Sequence, residues 1–99
     1  MTTEIQYVQI PRSESIDAIV NEKLDKLARK YDWLIRAQVH FKLENDPAGN
    51  GKICEIELSA PGPRLFAKSI SDDFEKSLAE TVKELEGQLR KRKTMMLKR

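Results

Sequence analysis

One cysteine and one histidine are all that this 99-residue chain offers of two side chains that dominate transition-metal and nucleophilic sites. Cys54 has no partner for an internal disulfide and reads as a small core residue. His40 falls on the opposite face of its strand by alternation, so the two are not expected to share a metal. Neither G-x-x-x-x-G-K-[ST] nor G-x-G-x-x-G occurs. The carboxylates lie on helix backs and along a wet sheet face, away from any cleft suited to acid–base work. The expectation is a non-enzymatic protein with no cofactor and no small-molecule substrate. No apolar run approaches the roughly 20 residues that cross a bilayer. The amino terminus, Met-Thr-Thr-Glu-Ile-Gln, has neither a basic n-region nor an apolar h-region. A soluble, cytoplasmic chain with no membrane partner and no secretory leader is expected.

What the chain does have is charge, unevenly placed. Charged residues make up 34% of it, with 18 Lys+Arg against 16 Asp+Glu. From Gln88 to Arg99 there are six basic residues (Arg90, Lys91, Arg92, Lys93, Lys98, Arg99) and no acidic one. Subtracting them leaves 12 basic against 16 acidic residues in 1–87, so a body of −4 carries an ending of +6. Such a block suits an acidic partner, most often nucleic acid. It equally suits a solvated helix end whose cations complement the helix dipole.

The periodicities predict six elements. Residues 4–10 read as a strand that Pro11 ends. Ser13 is placed to cap a helix over 14–31, with Ile16, Ile19, Val20, Leu24, Leu27 and Tyr31 on one stripe. With Ile16 at 0°, Lys23, Lys26 and Lys30 fall at about 340°, 280° and 320°, flanking one edge of that stripe. Glu22, Asp25 and Asp32 fall on the back, at about 240°, 180° and 160°. Lysine stems at such an edge cover the core while the ammonium groups reach outward, toward solvent or toward a partner. Residues 33–43 alternate as a strand, with Ile35, Ala37, Val39, Phe41 and Leu43 on the core face. Asp46 to Gly51 is a turn. A third strand spans 52–60, with Cys54, Ile56, Leu58 and Ala60 inward. Pro61-Gly62-Pro63 reverses the chain into a fourth strand over 64–70. Asp72 and Glu75 have the spacing of a capping box for a second helix, from about Asp73 to past Leu89. Its stripe is Phe74, Leu78, Val82, Leu85 and Leu89, and Gly87 within it costs about 1 kcal/mol relative to alanine.

The order β-α-β-β-β-α implies an α+β domain. A parallel right-handed crossover joins strands one and two, and short reversals make strands two to four antiparallel neighbours. Both helices would cover one face of a four-stranded mixed sheet. The other face would be wet, lined by Arg36, His40, Lys42, Glu55 and Glu57. Strands two and three offer that face no aromatic ring, and Tyr7 and Phe66 are not placed by pattern alone. Base stacking on the sheet is therefore disfavoured, leaving phosphate and shape recognition by helix cations.

Four segments carry a family resemblance: Glu22-Lys-Leu-Asp-Lys-Leu27, Gly62-Pro-Arg-Leu-Phe-Ala67, Asp73-Phe74 and Leu85-Glu-Gly-Gln-Leu-Arg-Lys91. In order and at this spacing, from about Ile5 to Lys93, they resemble the ribosome hibernation-promoting factor family. That family is also called ribosome-associated inhibitor or sigma-54 modulation protein. The resemblance implies a fold like double-stranded RNA-binding domains over residues 1–93, with 94–99 as a basic tail. It implies binding to the small ribosomal subunit in its decoding channel, through ribosomal RNA, so that translation stops in starved cells. Its RNA-binding positions fall on Lys23, Lys26 and Arg29 or Lys30 in the first helix, and on Arg90, Lys91 and Lys93 in the second, with Lys83 and Arg92 beside them. Glu84 and Gly87 stand where the family often has basic residues, and both lower the charge of the second helix. The chain looks like a short form, without the pairing domain or the acidic tail of other members. A module that modulates a sigma factor and a generic duplex-RNA binder are the competing readings.

Overall fold

A computed structural model describes residues 1–97. Six elements follow in the expected order: β1 (Thr2–Tyr7), α1 (Glu14–Lys30), β2 (Arg36–Leu43), β3 (Lys52–Ser59), β4 (Leu65–Ser71) and α2 (Phe74–Leu97). The sheet runs β1-β2-β3-β4, with β1 parallel to β2 and the remaining pairs antiparallel. Both helices therefore follow strands that point the same way, and they lie side by side in parallel on one face.

The core forms between that face and the two helix stripes. Val20, Leu24 and Leu27 of α1 meet Ala37, Val39, Phe41, Cys54, Ile56 and Leu58 of the sheet, and Leu78, Leu85 and Leu89 of α2. Burial pushes the Cys54 thiol up to about 12, which leaves it an inert core group. Hydroxyls stitch α2 to β3: Ser77 Oγ donates to the Lys52 carbonyl at 2.7 Å and Thr81 Oγ1 to the Cys54 carbonyl at 3.2 Å.

Five local expectations are corrected. β1 ends at Tyr7, not residue 10, because Gln9 takes a left-handed backbone with φ of 59°. β2 starts at Arg36, since Leu34 N–H turns back to the Tyr31 carbonyl and Trp33 packs edge-on against Tyr31. Ile35 and Leu43 continue the alternation yet are 60% and 57% exposed, lying at the ends of the strand where neither helix covers them. Asp72 makes an ion pair with Lys76 at 2.9 Å, while the N–H of Asp73 is taken by the Ser71 hydroxyl. Residues 94–97, expected as tail, continue α2 without a break at Gly87. Lys98 and Arg99 of that tail lie outside the described residues.

The cap of α1 forms as expected: Ser13 Oγ accepts from Ile16 N–H at 3.3 Å. Asp17 in the first turn is held by Arg12 Nε at 2.7 Å and by the Tyr7 hydroxyl at 2.9 Å. Burial first, and the Asp17 carboxylate second, push the Tyr7 phenol up to about 12.

Candidate nucleic-acid interface

α1 is amphipathic because its lysines interrupt the apolar repeat at one edge only, and the packing turns that edge toward α2. Lys23, Lys26 and Lys30 line a cleft between the helices together with Leu27 of α1 and Val82 and Glu86 of α2. The lysine edge of α1 faces inward. Lys23 is half-buried with its stem against the apolar floor, while Lys26 and Lys30 are exposed.

Two ammonium groups, one from each helix, gather at one aromatic ring at the end of α1. Tyr31 is buried, and Lys30 Nζ and Lys93 Nζ lie 5.6 and 5.9 Å from its ring centroid. This cation–π arrangement draws one lysine from each helix to one point without a carboxylate. Lys83 and Arg90 are exposed and stand about 40–60° beyond Glu86 on the helix wheel, on the shoulder of the cleft. Arg90 and Lys91 share the outer surface of the last turns with Gly87, Thr94 and Met95. Arg29 is exposed on the back of α1, off the cleft.

Arg92 does something different from its neighbours. Its Nη1 donates to the Pro61 carbonyl at 3.0 Å and its Nη2 to the Pro63 carbonyl at 2.7 Å. These bonds tie the end of α2 to the β3–β4 turn. Gly62 between the prolines has φ of 94°, and a Cβ there would come 3.3 Å from Arg92 Nη1. The guanidinium thus holds the end of the helix instead of pointing to solvent.

The acids separate as well. Glu84 lies one turn before Gln88, whose side chain donates to the Phe66 carbonyl at 2.8 Å, so it belongs to the flank facing β4. Glu86, which the pattern did not single out, is the acid that enters the cleft. Its signal was available: it stands four residues after Val82, on the same helix flank. Of the two aromatics left unplaced, Tyr7 stacks on Phe41 with centroids 5.2 Å apart. Phe66 lies on the open sheet face and is 50% exposed.

That open face carries charges in pairs. Arg36 meets Glu4 at 2.6 Å, Arg64 meets Glu57 at 2.7 Å, and Glu55 accepts from Lys42 at 2.9 Å with Lys68 at 3.8 Å. In the cleft, Lys26 pairs with Glu22 at 3.6 Å. Among the described residues, no carboxylate lies within 4 Å of Lys23, Lys30, Lys83, Arg90 or Lys93.

Fold and cleft together define a small α+β domain that presents the lysines of α1 along a groove between two parallel helices. The chain belongs to the family described as sigma 54 modulation protein / S30EA ribosomal protein, whose model matches residues 3–96. It is 34% identical over 91 residues to ribosome-associated factor Y of Haemophilus influenzae, a match covering 92% of this chain and 81% of that protein. A ribosomal subunit interface protein from Coxiella burnetii shares the fold with a TM-score of 0.84 at 22% identity, over 95% of this chain and 99% of that one. The N-terminal domain of Thermus thermophilus Protein Y matches with a TM-score of 0.75 at 25% identity, over 92% of this chain and 98% of its own.

Proposed function

We propose that this protein is a non-enzymatic ribosome hibernation factor of the cytoplasm that occupies the decoding channel of the small subunit. Ribosomal RNA phosphates would line the groove between α1 and α2, and occupancy of the channel would exclude messenger and transfer RNA. The family and the ribosome-associated relative support a ribosomal partner. The observation that carries the RNA contact is the gathering of Lys23, Lys26 and Lys30 in one cleft, with Lys30 and Lys93 meeting at the Tyr31 ring, largely without carboxylate partners. Each lysine that meets a phosphate releases condensed counterions, so affinity comes from many weak contacts and depends on salt. Such contacts set position and orientation without reading sequence. Glu86 inside the groove repels a phosphate placed beside it, and so narrows the path a backbone can take.

Gradient sedimentation of stationary-phase lysate tests the reading. Co-migration with small subunits is expected. Co-purification with a sigma factor and no ribosomal particles would contradict it. Free duplex RNA should compete poorly for the subunit-bound protein; full displacement would make this a generic duplex binder.

A further inference from the structure

The end of α2 carries a feature that groove binding does not use. Leu89 is the last buried residue of the helix, and the turns beyond it reach past the body of the domain. Met95, Met96 and Leu97 there are 68%, 39% and 75% exposed, an unusual run of apolar surface on a cationic helix. Met95 and Met96 face Pro61, Gly62 and Pro63 across a cleft of about 320 Å³, with Arg92 as its floor. The two proline carbonyls are already taken by Arg92, so its apolar walls set what it takes. Lys91 and Lys93 bracket the two methionines on the helix wheel, and no acidic residue occurs from Gly87 to Leu97.

We propose that this cleft takes a single unstacked nucleobase, with the flanking phosphates on Lys91 and Lys93. Apolar methionine and proline surfaces serve elsewhere as wedges between base steps, and flipped bases are held between apolar side chains. Nucleic acid is favoured over an acidic peptide by continuity: Lys93 reaches the Tyr31 ring beside Lys30 of the groove and directly follows Arg92 of the cleft, so one backbone can pass from groove to cleft along this turn. The site rests on the RNA-binding reading of the groove and adds to it a preference for unpaired bases next to a duplex.

The test compares a short RNA duplex with the same duplex carrying one unpaired adenosine. The bulged RNA should bind the wild type about tenfold more tightly, in line with the worth of stacking one base. The Met95→Ser/Met96→Ser variant should lose that advantage while keeping its affinity for the plain duplex. Methyl NMR should show Met95 and Met96 shifted by the bulged RNA alone, with Met1 unmoved. The groove variant Lys23→Gln/Lys26→Gln/Lys30→Gln should weaken both RNAs equally. Equal affinity for the two RNAs, with both still sensitive to the groove variant, would overturn the nucleobase site and leave the groove standing. Failure of both RNAs to bind, by protein that still binds purified small subunits, would overturn the nucleobase site and leave the groove standing; loss of subunit binding as well would overturn both. Shifts of Met95 and Met96 caused by an acidic peptide, with no response to either RNA, would make the cleft a protein-docking site and overturn the proposal.

Discussion

On the open face of the sheet, four cations meet three carboxylates: Arg36 with Glu4, Arg64 with Glu57, and Lys42 and Lys68 with Glu55. Across the molecule, Lys23 and Lys30 line a groove with Glu86, and Lys93 joins Lys30 at the Tyr31 ring. Both surfaces are rich in positive charge, so a count of lysines does not tell them apart; pairing does. An anion approaching the sheet must displace Glu55 and Glu57, which are partly recessed between their partners. An anion approaching the groove meets Lys23 and Lys30 with no carboxylate within 4 Å among the described residues, although Glu86 stands in the groove and Glu22 pairs with Lys26; releasing the mobile counterions of the unpaired lysines would favour binding. The lesson is that an interface for a polyanion is made by where the carboxylates are not.

The comparison breaks most sharply at the groove. Changing Lys23, Lys26 and Lys30 together to glutamine should weaken binding to purified small subunits by about 100-fold near physiological salt. Thermal unfolding should move by no more than about 0.5 kcal/mol, as for exposed substitutions generally. Arg92→Gln should have the next largest effect, through placement and not contact. Without its two carbonyl partners the last turns of α2 lose their tether, and subunit affinity should fall about fivefold, the worth of roughly one hydrogen bond. Amide exchange should quicken over 90–97 and stay unchanged in the core.

Gly87→Ala sharpens the contrast between stability and binding. The only atom near an added Cβ is Arg90 Nη2, at 3.9 Å, so the site has room. The variant should gain about 1 kcal/mol in denaturant unfolding and bind subunits as before. The smallest effect belongs to the open face. Lys42→Gln with Lys68→Gln removes two cations that share Glu55, in ion pairs worth at most about 1 kcal/mol. Subunit affinity should change less than about twofold.

Element order, sheet topology and both helix stripes were legible because each depends on periodicity, and periodicity is local. The lysine edge of α1 was legible for the same reason, but its direction was not. Whether Lys23 and Lys26 face α2 depends on which side α2 packs, a tertiary fact that one helix wheel does not contain. Arg92 stands in a run of four cations and reads like its neighbours; only the approach of the Pro61–Pro63 turn separates it. Glu84 drew notice as a departure from a family pattern, whereas Glu86 is the acid in the groove. The open aromatic Phe66 was missed because β4 alternates Leu65, Phe66 and Ala67, and three apolar neighbours hide which one points out. Strand ends failed where a single residue, such as Gln9, leaves the extended region.

The central claim is that the groove binds RNA phosphates through cations that, Lys26 apart, lack carboxylate partners among the described residues, and the dependence of subunit affinity on salt tests it most directly. Lys23, Lys26, Lys30, Lys83, Arg90 and Lys93 engaged together should give a slope of log K against log[salt] of about −4 to −5. Replacing Lys23, Lys26 and Lys30 should make it shallower by about 2–3, while replacing Lys42 and Lys68 should leave it unchanged. A slope near zero, or one that responds to the sheet lysines and not to the groove lysines, would contradict the account.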